Sequence, residues 1–236
     1  MHRKSPRSAP RLARTLACAG MALPVLLMTA CSSDSDSKES SASSPPASET
    51  QNTPSAAPVK HKDLPDACKT LSEKTVKDLT PGTDNAGGKR IGTGDTSDSG
   101  SCLWTGLDKY DYRQLTVSLK RFESDPSRGS GANLAKKYAA QQVEDLKSDK
   151  DNEGVKTTDA KGIGDEATST GFKLDKKDDK GKSETFQEQR TIALSDNVVV
   201  VVDYEGAGFE DGDTPSADTL QEKAQKAAKE AVAALK

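Results

Sequence analysis

Five consecutive valines at 198–202 restrict the fold of this chain more than any other feature. β-Branched residues favour strands, and an unbroken apolar run of this length reads as a central strand covered on both faces. Left exposed, it would be an aggregation hazard. The segments 186–194 and 197–204 read as one hairpin around it, and 102–107 with 112–122 as a second strand pair. In the latter, Leu115, Val117 and Leu119 take one face and Thr116, Ser118 and Lys120 the other. A further strand runs to Phe172 after Gly162-Ile163-Gly164-Asp165-Glu166-Ala167, followed by a charged hairpin tip at 174–182. Residues 83–100, rich in Gly, Asp and Ser, read as a loop.

Three segments carry the helical period instead. Val76 and Leu79 mark a short helix capped by Ser72 or Thr70 and ended by Pro81-Gly82. Over 132–148, Leu134, Ala135, Tyr138, Ala139, Val143 and Leu146 share a broad side. The last helix has Leu220, Ala224, Ala227, Ala228, Ala231, Val232 and Leu235 on one face, with Thr214 as its expected cap and Pro215 as its first residue. Strands and helices together give an α+β pattern.

The N-terminus reads as an address. Arg3, Lys4, Arg7, Arg11 and Arg14 precede an apolar run that is too short to span a membrane and has the anatomy of a secretory signal, residues 1–30. The run closes on Leu27-Met28-Thr29-Ala30-Cys31, which resembles the lipobox of bacterial lipoproteins, with Met28 in place of the usual Leu. That resemblance implies diacylglycerol on the Cys31 sulfur and cleavage before it, hence a membrane partner held through the acyl anchor. One acyl chain binds marginally, whereas two or more hold stably. Residues 31–63, mostly Ser, Pro, Ala, Thr and charge, read as a disordered tether with a coil reach of roughly 30 Å. His61, at its end, reads as part of the solvated spacer. One domain is expected over 64–236.

Removing the signal also changes the charge. Five basic residues leave with no acid, so 34 basic against 37 acidic becomes 29 against 37, a formal −8 rather than −3. Such a chain is a poor partner for nucleic acid. Cys18 leaves with the signal and Cys31 carries lipid, which leaves Cys68 and Cys102. Two cysteines in an oxidising compartment are expected to form a disulfide; a CxxC redox or metal site lacks the spacing. The only histidines are His2 and His61, so 64–236 contains none. This removes Ser-His-Asp, Cys-His and His-zinc chemistry from that segment.

Four weaker features read as structure. Gly92-Thr93-Gly94-Asp95 lacks the Gly-Lys-Ser/Thr ending of a phosphate loop and reads as a turn. Ser72-Glu73-Lys74 resembles a Ser-Lys pair in letters only. Glu205, Glu210, Asp211, Asp213 and Asp218 read as a solvated acidic loop without EF-hand spacing, calcium being the minor alternative. Trp104, near a disulfide cysteine on a strand, reads as core before ligand platform.

In order, the lipobox, the tether, Cys68 opening a short helix, Cys102-x-Trp104, the Gly162 to Ala167 turn, the valine strand and the terminal helix resemble a family of actinobacterial cell-envelope lipoproteins of unknown function. The resemblance implies an antiparallel sheet packed against helices, a Cys68–Cys102 disulfide with Trp104 beside it, and no catalytic residues. The resulting expectation is a monomeric, lipid-anchored, extracytoplasmic domain with no cofactor and no metal. It binds a cell-wall component or an envelope protein without catalysis. Two alternatives stand beside it: a carrier of small or lipidic molecules, which needs a dry cavity between sheet and helices, and a carboxylate-dependent hydrolase, which needs two acids facing one cleft.

Overall fold

The computed structural model describes residues 56–92, 96–177, 181–210 and 212–235. The segments expected to be the signal and most of the tether, with Cys31, lie outside these residues, as do Thr93-Gly94-Asp95, 178–180 of the expected charged tip, Asp211 and Lys236. Among the described residues, the strands are β1 (Lys89–Ile91), β2 (Ser99–Asp108), β3 (Asp111–Arg121), β4 (Glu153–Asp159), β5 (Glu166–Lys177), β6 (Ser183–Ser195) and β7 (Val198–Gly208). The helices are α1 (Glu73–Leu79), α2 (Gly131–Ser148) and α3 (Ala217–Ala233), with a 3₁₀ turn at Ala67–Lys69. The strands form one antiparallel sheet in the order β1-β2-β3-β7-β6-β5-β4, with helices on it, an α+β fold with one disulfide.

The valine strand stands in the middle of that order, and both of its faces are covered. Val198, Val200 and Val202 share a core with Leu115, Val117, Leu119 and the Ala224, Ala227, Ala228 and Ala231 stripe of α3. The alanines let the helix approach the sheet closely. Val199 and Val201 point the other way, against Ile192, Leu194 and Ala135 and Ala139 of α2. Period-two alternation in β7 therefore feeds two separate cores.

Cys68 and Cys102 are bonded, tying the 3₁₀ turn to β2. Trp104 is core, 1 % exposed, and its indole N–H donates to the Ala86 carbonyl at 3.1 Å. Gly88, at φ 74°, closes over both groups: a Cβ there would lie 2.4 Å from Cys102 Sγ and 2.6 Å from Trp104 Nε1. Gly88→Ala is therefore expected to cost about 1–3 kcal/mol, through strain and overpacking together, in a denaturant melt.

Several sequence expectations are corrected. The 83–100 loop contains β1, a short exposed strand paired to β2. Strand β4 was not expected; almost every residue in it is exposed. The charged tip is shorter than expected, because β5 stays paired to β6 through Lys177. Helix α3 starts at Ala217, since Ser216 rather than Thr214 caps it by accepting the Thr219 N–H. Thr214 instead accepts the Gly208 N–H at 3.3 Å, and Pro215 packs on Gly206. Of the two candidate caps for α1, Ser72 is the one used. The Gly162 to Ala167 turn seals the same core: Ile163 is 4 % exposed, and Gly164, at φ 59°, leaves no room for a Cβ against the Leu194 carbonyl.

Candidate functional site

The two faces of the sheet are not covered alike. Helix α2 packs where Val199, Val201, Ile192 and Leu194 lie, near one end of β6 and β7. Farther along those strands, and across β3 and β2, the same face stays open among the described residues: Tyr112, Gln114, Thr116 and Ser118 are half-buried, and Thr105 and Leu107 are exposed. The alternation of β3 puts its hydroxyl and amide side chains here and its leucines and valine beneath. Ser101 donates to Ser118 across the β2–β3 pair at 2.8 Å, and the Tyr112 hydroxyl donates to Gln114 at 2.9 Å.

Charge gathers on β5, β6 and β7 of this open region. Glu188 and Glu205 sit directly opposite each other in the β6–β7 register, as do Arg190 and Asp203 one rung pair away. Arg190 donates to Asp203. Lys176 reaches across from β5 to both glutamates, with Nζ 2.9 Å from Glu188 and 2.5 Å from Glu205. Opposed like charges destabilise a sheet, and the lysine is the local remedy. Next to it, Tyr112, Phe186 and Phe209 form a ring cluster with centroids 5.7–6.1 Å apart, and Lys176 Nζ stands 4.5 Å from the Phe186 centroid.

Burial, then repulsion from Glu188, pushes the Glu205 carboxyl up to about 7 against the pull of Lys176. Burial acts against the Lys176 charge, but the two glutamates more than offset it and hold its pKa above the ordinary value. The Tyr112 hydroxyl is raised by burial and then by Glu205. Since the folded Glu205 binds its proton more tightly than the unfolded chain does, its contribution to stability is present in full below about pH 4.5. It is lost as pH rises through about 7. Melting temperature should therefore fall between pH 5.5 and 8, and Glu205→Gln should flatten that slope; an unchanged slope would place the titration elsewhere.

This corrects the acidic stretch. Glu205 belongs to β7, only 8 % exposed, while Asp218 lies in the first turn of α3 and Asp213 donates its backbone N–H to Asp111. Among the described residues, no group of three His, Cys, Asp or Glu side chains is placed to hold a metal.

His61 is also corrected. It is 3 % exposed rather than solvated, its Nε2 lies 3.0 Å from Ser195 Oγ, and its backbone N–H and C=O both engage the Asn197 side chain at 2.9 Å. A histidine–serine pair thus exists that the expected boundary at 64 hid. Ser195 is itself only 7 % exposed, and the pair joins the end of β6 to the segment that precedes the 3₁₀ turn. Sequence reasoning missed the glutamate pair because Glu205 falls past the expected strand end. The usable signal was alternation, with Glu188 and Arg190 on one strand facing Asp203 and Glu205 on the next.

No protein-family model and no curated protein matches the chain. Among solved structures it is similar to LpqN of Mycobacterium tuberculosis, described as involved in cell envelope biogenesis, at 15 % identity over 60 % of this chain and 87 % of that one, with a TM-score of 0.30. At that identity and score the likeness decides neither fold nor function. No described helix is long and apolar enough to cross a membrane.

Proposed function

We propose that the chain is an extracytoplasmic lipoprotein, held to the outer face of the cytoplasmic membrane by lipid on Cys31, whose domain binds a polar envelope ligand without catalysis. The observation that carries the binding reading is the open sheet region with half-buried Tyr112, Gln114, Thr116, Ser118 and Glu188, beside which lie Lys176 and the buried Glu205 and Phe186. Hydroxyl, amide and paired-charge groups next to aromatic rings suit a hydrated ligand such as a wall fragment or a polar protein surface. A carrier would need an internal chamber. The groove between α2 and the sheet, lined by Ala139, Val143, Ile192 and Leu194, holds only about 150 Å³, half or less of a typical ligand site of ~300–1,000 Å³.

The test uses the Cys31→Ser chain, isotope-labelled and titrated with purified muropeptide fragments. Chemical-shift changes are expected at Tyr112, Gln114, Thr116, Ser118, Glu188 and Glu205. Changes confined to the α3 side would refute the assigned face. A hydrolase is the second reading, favoured by the Glu188–Glu205 pair, one of whose members is raised to about 7. It predicts fragment cleavage that Glu205→Gln abolishes, whereas the binding reading predicts intact fragments.

A further inference from the structure

We infer that the end of the tether is a docked strap, which puts the candidate site at the end of the sheet farther from the anchoring membrane. This inference rests on the lipid-anchor reading above. Three consecutive side chains of the β6–β7 turn grip the strap. Ser195 meets the His61 ring at 3.0 Å, Asp196 accepts the Lys60 N–H at 3.3 Å, and Asn197 both accepts the His61 N–H and donates to the His61 carbonyl at 2.9 Å. Asn197 also donates to the Phe122 carbonyl at 3.0 Å, so the clamp is built into the β3–β7 pair rather than added to the surface. Val59 reaches Gly131 at the start of α2, where a Cβ would lie 3.0 Å from Val59 Cγ1. An amide side chain paired with both backbone groups of one residue holds that residue as a strand partner would.

The position of the clamp sets the polarity. It lies at the Val198 end of β7, whereas Glu205 lies seven residues along the same strand, about 23 Å away. The β2–β3 turn at Lys109 lies at the far end too, because Asp111 pairs with Gly208 and Arg121 with Val198. Anything tied to residue 56 therefore pulls on the end opposite the candidate site. With the domain held from its Val198 end, the occupant of that site is on average farther from the bilayer than the clamp is. Release of the strap would free residues 56–61 and lengthen the tether by about 20 Å.

Two measurements test this. In the Cys31→Ser chain, hydrogen exchange at the His61 amide is expected to be protected, and Asn197→Ala is expected to lower that protection by about tenfold or more. His61→Ala should do the same to the Lys60 amide without touching the Phe122 bond, and Asn197→Asp, which keeps the acceptor, should retain part of the protection at His61. Fast exchange at His61 in the parent chain would overturn docking. On vesicles carrying the full lipidated chain, energy transfer to a headgroup-confined acceptor is expected to be greater from a dye at Arg128→Cys, near the clamp, than from one at Lys109→Cys. His61→Ala should narrow that gap. Equal transfer from both positions would overturn the polarity even with the strap docked. Failure of the chain to attach would overturn the anchor reading and the polarity with it, while the exchange result would still report docking.

Discussion

Val200→Asp is expected to leave no folded domain. Val200 is fully buried, flanked on its strand neighbours by Leu119 and Ala193 and covered by the alanine stripe of α3. An aspartate there has no partner, and an unpaired charge in such a site costs several kcal/mol after relaxation. A domain of this size is stable by only about 5–15 kcal/mol in total. Val200→Ala, which only opens a cavity, should cost roughly 2 kcal/mol and remain folded. Circular dichroism and proteolysis of the two variants separate these outcomes. A folded, protease-resistant Val200→Asp chain would mean that the valine strand is not the centre of the core.

Breaking the disulfide should have the second-largest effect. Cys68 and Cys102 are 34 residues apart, and closing a loop of that length is worth about 4 kcal/mol on the chain-entropy model. The bond also holds the 3₁₀ turn against β2, where Ala67, Leu71 and Trp104 meet in the main core. The double variant Cys68→Ala/Cys102→Ala should therefore unfold at markedly lower denaturant, by about 4 kcal/mol or somewhat more. Reduction of the parent chain should reproduce most of that loss. A shift under about 1 kcal/mol would show that α1 and the turn are held by packing alone.

How far the fold was legible from the residues depended on burial. The valine run, the Leu115, Val117 and Leu119 alternation and the alanine stripe of α3 all report the inside of the molecule, and each appears where its period places it. The strands that went unread, Lys89–Ile91 and Glu153–Asp159, are the two edges of the sheet. Edge strands are kept polar and charged so that they do not pair with other chains, which removes the apolar alternation that identifies a strand. The site was less legible still. Glu188, Lys176 and Glu205 come from three strands and meet only through register, which one chain read alone does not supply. His61 was misplaced because its neighbours are spacer-like in composition, and its binding partners, Ser195 to Asn197, lie 134 and more residues away. Scarcity of histidine therefore excludes less chemistry than the expected boundary at 64 implied. One of the two, His61, is part of the folded structure and buried in it.

The proposed anchor on Cys31 would set the compartment, the oxidising surroundings of Cys68 and Cys102 and the orientation proposed for the site. Its most direct test is mass spectrometry of the mature N-terminal peptide, taken from protein extracted out of membranes. The account predicts a chain beginning at Cys31, with a diacylglyceryl group on its sulfur. A mature chain that begins elsewhere, or an unmodified Cys31 on membrane-extracted protein, would contradict it.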